Sequence, residues 1–112
     1  MVLLLKLMKV RAHDGTSIAI TEDVVDHVIR KHSEILSLLG LTRKGFVKLL
    51  RSALEEPNEA YVDVYDSKYF LKKLNDFYLN AIVSKGIVKT AYLISSKTYS
   101  RLVRKRWLRR LC

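Results

Sequence analysis

AYVDVYDSKYFLKKLNDFYLNAIVSKGIVKTAYLI, residues 60–94, is the stretch that decides the fold. Ala60 to Tyr65 alternates apolar and polar residues, Lys68 to Leu74 does so less cleanly, and Asp76 to Ser84 and Ile87 to Ile94 are rich in β-branched and aromatic residues. A period of two with that composition predicts strands. Only Asp66-Ser67, Asn75-Asp76 and Lys85-Gly86 separate the four runs, so they are expected to form an antiparallel meander. In the last run, strict alternation places Val88, Thr90, Tyr92 and Ile94 on one face, and Ile87, Lys89, Ala91 and Leu93 on the other.

Upstream of the meander the period changes to that of helices. DVVDHVIRKHSEIL, residues 23–36, carries an apolar stripe of Val24, Val25, Val28, Ile29, Ile35, Leu36 and Leu39. Thr21 is a good N-cap, Glu22 and Asp23 complement the helix dipole, and Gly40 is a natural stop, which predicts one helix to about Leu39. Thr42 should cap a second helix with Phe46, Leu49, Leu50 and Ala53 inward, and Pro57 ends it. Before these, residues 2–10 read as a strand, His13-Asp14-Gly15-Thr16 as a turn, and Ser17–Ile20 as a short return strand. A last helix is expected from about Thr98 to Leu111. The fold class is thus α+β, ββααββββα, with helices packed on one face of an antiparallel sheet in one domain of residues 1–112.

Composition narrows the classes of function. An apolar fraction of 49% excludes a disordered chain, and one Pro with four Gly leaves little room for a flexible linker. A lone cysteine, Cys112, allows neither an internal disulfide nor a zinc cluster, so a reducing compartment, the cytoplasm, is expected. MVLLLKLMKVR at the start is too short and too interrupted by Lys6 and Lys9 for a membrane span, and it lacks the basic lead and cleavage site of a secretory signal. No membrane partner is expected. The net charge of +10 is unevenly spread: residues 1–76 hold 12 Lys and Arg against all 11 acids, whereas residues 77–112 hold nine cations and no acid. Such a basic end on a nearly neutral body implies a polyanion, most commonly nucleic acid.

Several residues could carry chemistry, each with a plainer reading beside it. His32 lies three or four residues from Val28, Ile29 and Leu36, within the apolar stripe. It reads either as a buried core histidine hydrogen-bonded to Tyr92 or Thr90, or as a catalytic base oriented by that same contact. His27 lies off the stripe beside Lys31, as a surface histidine or the second proton carrier, and Arg30 points further toward solvent. The five-residue spacing of the two imidazoles disfavours a shared metal, and neither metal nor cofactor is expected. Thr90 and Tyr92 are either polar tips of a half-buried face or groups that contact a phosphate. In KTYSRLVRKRWLRRL, the cations Arg104, Arg106 and Arg109 surround Trp107, which suits phosphate contact with base stacking, although a solubilising helix over 97–112 would look the same.

HVIRKHSE at 27–34, Glu56-Pro57, and KTAY at 89–92 carry a resemblance that spans residues 21–94. There the chain resembles the phage- and mobile-element-associated branch of the barnase, EndoU, colicin and RelE-like nuclease superfamily. Members show a histidine-led helix with an RHPE-like motif, a helix ending before proline, and a late T-A-Y strand. Ser33 stands where that proline is usual, and Lys31 is an additional residue between Arg30 and His32. The resemblance implies a barnase/RelE-like α+β fold and metal-independent RNA cleavage, in which a 2′-hydroxyl attacks the adjacent phosphate. By this analogy His32 and His27 are base and acid in either order, Lys89 or Arg30 holds the phosphate, and Thr90 and Tyr92 position the substrate. RNA is then the partner, and a protein inhibitor or antitoxin a further one. Two alternatives remain beside the ribonuclease: a non-catalytic nucleic-acid-binding module, and an interaction protein of a larger assembly that uses the apolar strand at residues 2–8.

Overall fold

The computed structural model describes residues 6–105 and 109–111, with side chains over 8–102 and at 111. Strand β1 (Lys6–Arg11) turns at Asp14-Gly15 into β2 (Ser17–Thr21). Three helices follow, α1 (Glu22–Lys31), α2 (Glu34–Leu39) and α3 (Arg43–Glu55). The meander is β3 (Glu59–Val62), β4 (Lys68–Leu74), β5 (Phe77–Ser84) and β6 (Ile87–Ser95), and α4 (Ser96–Lys105) and a short β7 (Arg109–Arg110) close the chain. The strands form one sheet in the order β1-β2-β6-β5-β4-β3-β7.

The expected α+β class with helices on the sheet is the observed one, and the turns at 75–76 and 85–86 lie where expected. Strand β3 ends at Val62 and not at Tyr65, so the first connection is the loop 63–67, with its turn at 64–65 instead of Asp66-Ser67. At the β5–β6 turn, Lys85 and Gly86 both take positive φ, 54° and 75°, the geometry that matches the twist of a two-residue hairpin. In the β3–β4 turn the Asp63 carboxylate accepts the N–H groups of Tyr65 and Ser67 at 2.9 and 3.0 Å. Caps also form as read: the Thr21 hydroxyl accepts Val24 N–H at 3.2 Å, and the Thr42 hydroxyl accepts Gly45 N–H at 3.1 Å.

Four further features differ from expectation. The sheet is mixed, because β2 meets β6 in parallel through Ala19 and Ile87. The single helix expected to Leu39 is broken at His32-Ser33. There His32 leaves the helical conformation (φ −130°, ψ 51°), and its N–H still bonds Val28 O at 2.7 Å. Both halves keep the apolar period, so periodicity alone does not reveal a break between them. Third, α4 stops at Lys105, and Arg109–Arg110 pairs antiparallel with Val62 and Tyr61 as a strand. The helix expected over 97–112 is corrected accordingly, since the exposed edge of β3 offers the chain a backbone ladder that local propensity cannot register.

Finally, helices occupy both faces. Phe46, Leu50, Ala53 and Leu54 of α3, with Val24, Val25 and Val28 of α1, pack on Ile18, Ile20, Phe70, Leu79, Ala81 and Val83. The opposite face holds Tyr61, Leu71 and Ile94 with Tyr69, Tyr78 and Tyr92, and α4 covers it with Tyr99 and Leu102. No helix among the described residues is long and apolar enough to cross a membrane.

Candidate nucleic-acid interface along α1 and β6

After the single Ala19–Ile87 pairing the chain leaves β2, passes the Thr21 cap and enters α1, which packs along β6. A strand that feeds directly into a helix therefore sets the side of that helix against β6, and the histidines with it. His27 is half-buried. Together with Thr21, Asp23, Ile87 and Lys89 it lines an open depression of about 310 Å³. Lys89 is exposed and forms no ion pair among the described residues. Its position has a local cause: Ile82 pairs with Thr90 and Val83 with Val88, so Lys89 is the extra residue of a β-bulge.

That bulge also corrects the expected face assignment. Val88 joins the helix-side core with Ala91 and Leu93, whereas Thr90, Tyr92 and Ile94 belong to the opposite face. One inserted residue shifts the alternation, and a strict count along the strand cannot reveal it.

His32, at the C-terminal end of α1, lies with its ring centroid 5.5 Å from that of Tyr92, the planes tilted by 35°. The expected contact is present, but it is ring against ring. Nor is His32 a core residue: its side chain is 31% exposed, with Nδ1 3.6 Å from a Glu34 carboxylate oxygen. The break after Lys31 turns the imidazole out of the apolar stripe in which a continuous helix would bury it.

The other candidates divide between the seam and elsewhere. Arg30 is exposed on α1 and free of ion pairs among the described residues. Thr90 Oγ1 is buried without a hydrogen-bond partner. Beside it, Asn80 is fully buried opposite Tyr92 in the neighbouring strand, with neither its amide nitrogen nor its oxygen paired. Asn80 is not among the residues expected from sequence; the signal for it is a polar residue between Tyr78 and Ile82 on one face of an apolar run. Of the C-terminal candidates, Arg104 lies in α4 and Arg109 in β7 by backbone alone, and Arg106 and Trp107 are outside the described residues.

The seam thus brings His27 to Lys89 and His32 to Tyr92. His32 and Tyr92 do not line the His27 depression; they stand further along the same border. His27 and His32 are five residues apart, roughly 7.5 Å along the helix axis. Among the described residues no three His, Cys, Asp or Glu side chains are grouped as metal ligands. No protein-family model, curated protein or solved structure matches the chain.

Proposed function

We propose that the protein is a metal-independent endoribonuclease-like protein of barnase/RelE-like architecture, working in the cytoplasm on single-stranded RNA laid along the α1–β6 seam. The observation that carries this reading is the packing of α1 on β6, which sets two imidazoles, a free lysine and a phenol along one border. In the proposed step one histidine takes the proton of a 2′-hydroxyl. The 2′-oxygen attacks phosphorus, and the bond to the 5′-oxygen breaks. The other histidine protonates that leaving oxygen, so the products carry a 2′,3′-cyclic phosphate and a 5′-hydroxyl. Lys89 beside His27, and Arg30 in the last turn of α1, offset the charge that builds on the phosphate oxygens. Tyr92 positions the nucleotide, whereas the Thr90 hydroxyl oxygen is buried and does not reach it. Arg104, Arg106, Trp107 and Arg109 add phosphate contacts and stacking. An inhibitor or antitoxin protein is a fitting partner for such an activity.

A second reading, nucleic-acid binding without cleavage, is favoured by one observation: His32 and Tyr92 stand outside the depression that holds His27 and Lys89. Incubation with end-labelled RNA in EDTA separates the two. Cleavage should yield cyclic phosphate ends, and His27→Ala or His32→Ala should each slow it by about 10²–10⁴ with RNA binding retained, the usual worth of one acid–base group. Binding without cleavage by the unaltered protein would select the second reading, and absence of both would end the two together.

A further inference from the structure

Three turns meet at the end of the sheet on the far side of Gly86 from the seam. They are the β1–β2, β3–β4 and β5–β6 turns, and between them lies a second cavity of about 260 Å³. Thr16, Ser17, Asp66, Lys68, Lys85 and Gly86 supply its polar and backbone lining. Its cations are in different states. Asp14 accepts the N–H and hydroxyl of Thr16 at 3.0 and 2.6 Å, which hold its carboxyl down at about 2, so it is ionised at neutral pH. Lys68 Nζ stands 3.6 Å from that carboxylate and is offset by it. Lys85 has no ion pair among the described residues.

The backbone at Lys85 is the second observation. With φ at +54° it occupies the first position of a turn in which Asn, Asp or Gly would be less strained. Strain kept at an exposed cation on a cavity rim is a recurrent mark of a side chain in use. The turn is held in place by Ala19 N–H donating to Gly86 O at 2.8 Å. Tyr65 does not line the cavity, but it directly precedes Asp66, which does, and it is 82% exposed, among the few large apolar side chains so open to solvent. A free cation, an open aromatic ring and a carboxylate acceptor together fit a nucleotide, with phosphate on the cation, base on the ring, and ribose or base donors on the acceptor. An acidic peptide would offer Asp66 only backbone N–H groups while bringing further carboxylates beside it, and it has no base to stack.

We infer that this three-turn pocket is a second nucleotide subsite, taking on Lys85 a phosphate that flanks the one in the α1–β6 seam and stacking that nucleotide's base on Tyr65. The inference rests on the proposed reading of the seam as an RNA site. The two places are continuous: Gly86 lines one and Ile87 the other, and Lys85 and Lys89 are at most about 13 Å apart along extended chain.

Binding of a hexaribonucleotide and a dinucleotide to the full-length protein, across a salt series, tests it. Lys85→Asn keeps the turn and removes the charge, and Tyr65→Ala removes an exposed ring. Each should weaken hexanucleotide binding about tenfold and leave dinucleotide binding unchanged, with Lys85→Asn lowering the salt slope by about one. If both variants bind the hexanucleotide as the unaltered protein does, while Lys89→Ala binds it more weakly, the subsite is overturned and the seam stands. Should Lys89→Ala also bind both RNAs unchanged, the seam reading fails and the subsite with it. Equal affinity for hexaglutamate would overturn the nucleotide assignment in favour of an acidic-peptide surface.

Discussion

The two faces of the sheet solve the same burial problem with different side chains. Under α1 and α3 the contacts are almost wholly aliphatic, with Phe46 and Phe70 as the largest fully buried groups. Opposite, five of the six tyrosines gather: Tyr61, Tyr69, Tyr78, Tyr92 and Tyr99. Tyr99 stacks on Tyr78 with centroids 4.3 Å apart and planes within 8°. The Glu59 carboxylate accepts the hydroxyls of both Tyr61 and Tyr99, and Asp63 accepts that of Tyr69 at 2.6 Å. Three helices can exclude water from one face, so hydrocarbon suffices there. On the other face α4 is the covering helix, and residues with an apolar body and a polar tip suit a surface that stays partly wet. Even so, Asn80 and Thr90 keep buried polar atoms unpaired on this second face.

The sharpest break of that comparison is in the aliphatic face. Phe46→Ala should cost about 3–5 kcal/mol in urea unfolding, because a fully buried ring leaves a cavity that close-packed neighbours cannot fill. On the tyrosine face the sign should reverse at one position. Asn80→Leu removes two buried polar atoms without partners at similar volume, and a gain of about 1–3 kcal/mol is expected in the same measurement. A loss of stability there would mean that the amide is paired in solution and that the two faces are more alike than described.

The smallest effect concerns the clamp of α4. Burial, and then the bond to Glu59, pushes the Tyr99 hydroxyl above the ordinary tyrosine value. A raised acid favours the protonated form in the folded state. Its contribution is therefore complete below pH about 10, the unfolded value, and declines as pH rises above that. Spectrophotometric titration should show one phenol ionising last, and Tyr99→Phe should remove that late step while retaining the stack on Tyr78. A late phenol that persists in Tyr99→Phe would assign the step to another tyrosine.

Much of the framework was legible because it is set locally. Thr21 and Thr42 cap helices through their own hydroxyls, Pro57 follows α3, and the paired residues at 75–76 and 85–86 turn the chain. The candidate site was legible as a list of residues and less so as an arrangement. A continuous helix would put His32 in the stripe, and strict alternation groups Val88 with Thr90, because a bulge at Lys89 leaves no mark in the sequence. Asn80 stands out in the sequence only as a polar residue in an apolar run; its lack of partners is a property of its surroundings.

By itself the sequence determined the element types, their caps and turns, the α+β class and the separation of a nearly neutral body from a basic end, since each depends on neighbours in the chain. Tertiary structure alone decided that β2 joins β6 in parallel, that α1 lies along β6, and that Arg109–Arg110 completes the β3 edge. It also decided that His32 faces Tyr92 at the border instead of sinking into the core. Those outcomes depend on which distant surfaces exclude water from one another, and no local pattern of residues specifies that.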